Sequence, residues 1–313
     1  MPRPWRSDRD RPPLAGAASL GLRPLLDGPR RPGRVLAAFP SAVYVEVRTG
    51  REPRVLGLVI PEAVRLPNAV VVTAPELRAQ LASVQVGTEA SVGDGVVELG
   101  GVRVRARRWW DPAPVLGPVS RIGLERGVAA LQRLLDRCPR HHGLTGHPAP
   151  GNLATACVAG DLAGTVDAAE RIVGLGPGLT PSGDDMLAGL LVALRVLGGA
   201  VAEGADTAGG RGGEAAGEEA VWLAGWLGAA VTPYADTRTT TLAATLLHCA
   251  AQGRPSAEMA AVLRALAGHE PLEPAATRLL ATGHTSGADL TWGLLTGCLS
   301  ILGGARGRRR ESA

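Results

Sequence analysis

The sequence predicts an α+β protein: a small β-barrel or sandwich first, then a larger, mostly α-helical domain. Three observations carry this. Valine-rich, period-two stretches fill residues 34–110. After residue 118 the apolar spacing turns helical. Within that part, two Ser-Gly-x-Asp segments each run into an apolar helix, the first at Ser182 and the second at Ser286.

The elements follow in order. Residues 1–33 are rich in Pro, Arg, Asp and Gly, and a disordered arm is expected there. Strands are expected at Val35-Leu36, Ala42–Val47, Val55–Ile60, Ala69–Val72, Val96–Leu99 and Val102–Arg105, with Gly93-Asp94-Gly95 as a turn. Asp111–Pro114 reads as a linker. The helical domain spans 118–305, with helices near 119–137, 152–173, 181–198, 218–231, 238–252, 256–267, 273–282 and 286–302. Residues 203–219 are Gly, Ala and acids without periodicity, which predicts a flexible loop; 306–313 reads as a tail.

Composition narrows the chemistry. All 33 basic residues are Arg, because the chain contains no lysine. A Walker A lysine, a Schiff-base lysine and a lysine general base are therefore excluded. The net charge of +4 is spread along the chain and aromatics make up only 3%, which argues against a nucleic-acid groove. The cysteines Cys138, Cys157, Cys249 and Cys298 form no CxxC pair, as expected of a reduced, cytoplasmic protein. The apolar runs 187–202 and 290–305 are too short or too interrupted for membrane spans of about 20 residues.

The repeated segments are the strongest candidates for a site. In Gly174–Asp185, Gly176 and Gly178 precede a helix start, with Thr180 as expected N-cap and Pro181 in the first turn. Ser182 and Gly183 follow, then Asp184 and Asp185. A helix start presents free N–H groups and a dipole that favours an anion. Two adjacent acids would repel that anion, so they need a different role. They could hold Mg²⁺, orient an amide or amine, or bind an arginine. A capped helix with acids on its dipole is the simpler alternative. The second copy offers His284, Thr285, Ser286, Gly287 and Asp289, with His284 as donor or general acid. A third element, Arg238-Thr239-Thr240, combines a guanidinium with hydroxyls suited to a phosphate or carboxylate, or forms an ordinary cap cluster. His141, His142 and His147 lie in a Gly/Pro-rich stretch and read as a surface loop. Cys249 reads as a small core residue, and Ser182 lacks a paired histidine nearby in sequence.

These motifs together resemble one bacterial family. Gly-Leu-Gly-Pro-Gly-Leu-Thr-Pro-Ser-Gly-Asp-Asp at 174–185, Arg-Thr-Thr from Arg238, Gly-His-Thr-Ser-Gly-x-Asp at 283–289 and Ser-Ala-Val-Tyr at 41–44 occur in the family's order. The family includes the H subunit of oxamate carbamoyltransferase, a protein of anaerobic allantoin and purine breakdown; the resemblance covers roughly residues 34–304. It implies a two-part protein acting with other subunits in a hetero-oligomeric complex. The implied reaction moves a carbamoyl group between carbamoyl phosphate and oxamate, giving oxalurate and phosphate. On this reading Asp184, Asp185, His284 and Asp289 serve catalysis, and Gly176, Gly178, Thr180, Ser182, Gly183, Arg238, Thr239, Thr240, Thr285, Ser286 and Gly287 hold substrate. Mg²⁺ is the one cofactor the acids would suit. Two alternatives stand beside it: a non-catalytic subunit or sensor that binds a small anion for a partner, and a Mg²⁺-dependent phosphotransferase. The missing lysine and nucleotide fingerprint count against the latter.

Overall fold

The computed structural model describes residues 12–137, 140–208 and 211–311. The chain divides into two compact units between Pro112 and Ala113.

The first unit is a closed eight-stranded barrel. Its strands are β1 (Leu14–Ser19), β2 (Arg31–Phe39), β3 (Ala42–Val47), β4 (Val55–Val59), β5 (Ala69–Val72), β6 (Glu89–Gly93), β7 (Val96–Leu99) and β8 (Val102–Trp110). Around the barrel the order is β1-β5-β4-β3-β2-β6-β7-β8. β1 closes it by pairing antiparallel with β5 and parallel with β8. The expected valines fill the interior, among them Val35, Val43, Val45, Val70, Val97 and Val104. Each such side chain stabilises the fold by roughly 1.5–3 kcal/mol on burial.

The expected arm at 1–33 is corrected over the described residues. Leu14–Ser19 is a barrel strand, Arg23–Leu26 a short helix (α1), and Arg31 already opens β2. Residues 1–11 lie outside the described residues. β1 reads Leu-Ala-Gly-Ala-Ala-Ser because space is scarce at the closure. A Cβ on Gly16 would come within 2.8 Å of Val70 and 2.9 Å of Val104. A second short helix, α2 (Glu76–Leu81), follows β5.

The second unit is helical: α3 (Arg121–Arg137), α4 (Pro148–Ala159), α5 (Leu162–Ile172), α6 (Ser182–Val192), α7 (Gly198–Ala208), α8 (Arg211–Arg238), α9 (Thr241–Ala251), α10 (Ala257–Leu266), α11 (Leu272–Leu280) and α12 (Ser286–Glu311). One π-helical stretch, Ala193–Leu197, joins α6 to α7. The helix expected at 152–173 is two helices, split at left-handed Gly160 and restarted by Asp161, whose side chain caps Gly164 N–H.

Two further expectations are corrected. Residues 203–208 belong to α7 and 211–219 to α8, with 209–210 outside the described residues. Two of the glycines that suggested a loop there serve helix packing instead: a Cβ on Gly204 would lie 2.3 Å from Val119 O, and one on Gly217 would lie 2.5 Å from Gly198 O. The expected tail from 306 continues α12 as far as Glu311.

α6 and α12 pack against each other at the centre of this unit, with Leu187, Leu190, Leu191 and Leu294 fully buried. Their approach is close and reciprocal. A Cβ on Gly189 would lie 2.2 Å from Leu290 O, and one on Gly293 would lie 1.9 Å from Met186 O. Because α6 and α7 are continuous through the π stretch, Ser182–Gly204 is long and apolar enough, by length and composition, to cross a membrane. Most of that run is buried within the unit, so its apolar surface faces the helical core.

Candidate functional site

The two Ser-Gly-x-Asp segments meet at the paired starts of α6 and α12. Each copy is anchored the same way. Gly183 lies against the end of α5, where a Cβ would come 1.9 Å from Ile172 O; Gly287 lies against α11, 2.1 Å from Leu279 O. Their N–H groups are already engaged, Gly183 with Leu175 O at 2.9 Å and Gly287 with Thr282 O at 3.0 Å. The N–H groups of Asp184 and Asp185 donate to Pro181 O, and that of Asp289 to Thr285 O. The helix dipoles remain, but most backbone donors expected to meet an anion have protein acceptors.

Crossed contacts then join the copies. Ser286 and Thr180 place their hydroxyls beside the Asp185 carboxyl, while Thr285 and Ser182 do the same for Asp289. Thr180 was expected to cap α6. Pro181 takes the cap position without a side-chain bond, and Thr180 Oγ1 instead meets Ser286 Oγ at 3.1 Å. The proline's fixed φ suits that entry, which leaves the threonine to face the other motif.

The acids differ in what they do. Asp184 accepts from Gly174 N–H at 2.9 Å through Oδ1 and from Thr239 Oγ1 through Oδ2. With both oxygens engaged, it ties the Gly-rich loop to the α8–α9 connection and leaves little for a cation shared with Asp185. Asp289 is fully buried and accepts from Gly143 N–H at 2.8 Å through Oδ1. Its Oδ2 is buried without a partner, and so is Oδ2 of Asp185, a side chain only 6% exposed. Two enclosed carboxyl oxygens therefore await a donor, since buried polar atoms are rarely left unpaired.

Burial sets the electrostatics. It pushes Asp185 well above the ordinary carboxylate range; Asp289 and Asp184 add to the push, and Ser286 and Thr180 oppose it. Burial also raises Asp289, against the hydrogen bonds from Gly143, Thr285 and Ser182. Asp184 is raised by burial too, opposed by Thr239 and Gly174. Neighbouring carboxyls of this kind favour holding a proton, so the pair can both accept from and donate to a ligand.

The remaining candidates fall into place around this pair. Thr240 caps α9 at Ala243 N–H and donates to Leu179 O at 2.5 Å, which secures the Gly-rich loop. In that loop Gly176 has φ 112° and Gly178 φ 100°, backbone conformations that glycine adopts without strain. Arg238 is exposed, its guanidinium 5.1 Å from the Tyr234 ring centroid. His284 is also exposed, just ahead of α12. The structure thus joins Thr180, Ser182, Asp185, Thr285, Ser286 and Asp289 directly, and ties in Asp184, Thr239 and Thr240 as supports.

Sequence reasoning missed His142-Gly143. Read as surface loop, this step instead adjoins both motif copies, with Gly143 on Asp289 and the His142 ring 6.3 Å from that of Trp292. The one signal in the sequence was a glycine directly after a histidine in a chain with 6 histidines. Cys157 and Cys298 are buried, and burial pushes their thiols up to about 11 and about 12, so they pack rather than react.

Fold and site together place two buried, neighbouring carboxyls, Asp185 and Asp289, at the paired starts of α6 and α12. Residues 172–298 match the family described as oxamate carbamoyltransferase subunit AllH. The matched segment contains both motif copies. No curated protein matches the chain, and no solved structure does.

Proposed function

We propose that the chain is a cytoplasmic subunit of a carbamoyltransferase complex. It would act on carbamoyl phosphate and oxamate, or on oxalurate and phosphate in reverse, in nitrogen catabolism of the purine or allantoin type. The observation that carries this reading is the convergence of Asp185 and Asp289, each with one buried carboxyl oxygen that has no partner. A planar carbamoyl or amide group presents N–H donors on one side and a carbonyl acceptor on the other. The acids match the donors, and the hydroxyls of Thr180, Ser182, Thr285 and Ser286 match the acceptor. Exposed His284 and Arg238 supply donors for the anionic end of either substrate. The family's description supports the choice of carbamoyl transfer among reactions of small amides.

The enclosed pair would hold the reacting amide in fixed geometry and exclude water, which favours transfer over hydrolysis. Asp185→Asn in the assembled complex should cut turnover by about 100-fold or more, as loss of a proton-transfer or orienting group does. Unchanged turnover would remove the assignment. The same side chains would also serve a subunit that only binds the anion and presents it to a partner. In that case ligands would still raise the melting temperature of the isolated chain, while Asp185→Asn would leave the complex's kcat intact.

A further inference from the structure

The His142-Gly143 step has a placement that loop geometry alone does not require. Gly143 N–H donates to the buried Asp289 Oδ1. A Cβ on Gly143 would lie 2.0 Å from Ser182 Oγ and 3.2 Å from Thr285 Oγ1, so this backbone rests on both motif copies. His142 is half-buried, and its Nδ1 is enclosed without a hydrogen-bond partner. Its ring lies near Trp292, less than one turn beyond Asp289 on α12, and close enough to Asp289 to feel that carboxyl.

We propose that His142 is the general base of the carbamoyl site, with Asp289 holding the imidazolium that forms. The inference rests on the carbamoyl-transfer reading above. As the acceptor amide nitrogen bonds to the carbamoyl carbon, the bond from that carbon to the phosphate oxygen breaks. The proton leaving the amide nitrogen passes to the neutral imidazole and then to the departing phosphate, so charge and atoms balance. Phosphate attack on the ureido carbonyl runs the same steps backwards. The ring is suited to start neutral: burial lowers its pKa and His141 acts in the same direction, while Asp289 opposes both. Of the other acids, both on α6, Asp185 adjoins Asp289 and Asp184 adjoins Asp185.

The test is made in the complete complex with its partner subunits, following oxalurate formation from carbamoyl phosphate and oxamate. His142→Gln should lower kcat by about 100-fold or more while KM for both substrates stays within about threefold. It should also remove the acid limb of the kcat profile, which in the unaltered enzyme falls below the ordinary imidazole value of about 6.5. If the variant fails to assemble, the unaltered enzyme decides: its acid limb must coincide with the titration of the His142 ring followed by NMR. A fully active His142→Gln enzyme, or a natural profile with no inflection tracking that ring, overturns the proposal. Asp185→Asn is assayed in parallel. If it loses activity while His142→Gln keeps it, only the role of His142 falls; if neither loses activity, the carbamoyl-transfer reading falls with it.

Discussion

The two motif copies share a backbone plan and differ in their side chains. Gly183 and Gly287 pack on the preceding helix in the same way, and Gly189 and Gly293 exchange equivalent contacts across α6 and α12. Asp185 and Asp289 face each other from equivalent positions. The middle residue breaks the match. Asp184 in the first copy holds Gly174 and Thr239, where the second copy has Ala288, a buried methyl with nothing to tether. The second acid is bound instead by Gly143 from a separate loop. The shared pattern thus supplies the packing and the acid pair, and the unmatched residues give the two copies different surroundings. The proposed substrates, with a carbamoyl group at one end and an anion at the other, would make use of such a difference.

The largest test of the shared plan is steric. Gly293→Val and Gly189→Val each force a side chain against a carbonyl of the partner helix, and each should destabilise by at least about 2–3 kcal/mol in urea unfolding. A variant tolerated in one helix and not the other would break the equivalence. The unmatched position comes next. Asp184→Ala strands Gly174 N–H and the Thr239 hydroxyl, at a cost of about 1–3 kcal/mol, and should loosen the Gly-rich loop enough to raise KM. Equal KM with equal stability would mean that Asp184 tethers nothing of consequence.

The smallest effect is a pH dependence. The folded protein holds the Asp185 proton to higher pH than the unfolded chain does. Its contribution to stability therefore declines as pH rises from the ordinary carboxylate value toward the raised one, and stays low above that. Asp185→Asn removes this penalty. Relative to the parent, the variant's melting temperature should rise through that window; a constant difference across pH would mean that the carboxyl is not strained by burial.

How far the sequence reached depended on the range of the interaction. Valine enrichment marked six strands, with period-two alternation where a strand has one exposed face; β4 and β5 are buried throughout and carry only the enrichment. β1 escaped because closing the barrel demanded small residues such as Gly16, which carry no strand signal. The acid pair was legible from the repeat, and the need for a shared site could be stated but not located. Asp184 was read as chemistry, and its bonds to Gly174 and Thr239, one near in sequence and one far, were not legible there. Gly143 and Asp289 are 146 residues apart, a pairing that no local pattern announces. The glycines at 204 and 217 misled for a related reason: flexibility and close packing call for the same residue.

The central claim is that the two copies build one site. It is tested most directly by a double-mutant cycle of Asp185→Asn and Asp289→Asn, read as kcat/KM for carbamoyl transfer in the assembled complex. If the acids act on one bound group, the double variant will be about as impaired as the worse single variant, giving a coupling energy of about 1–3 kcal/mol. Losses that simply multiply would place the two acids in independent roles and contradict the account.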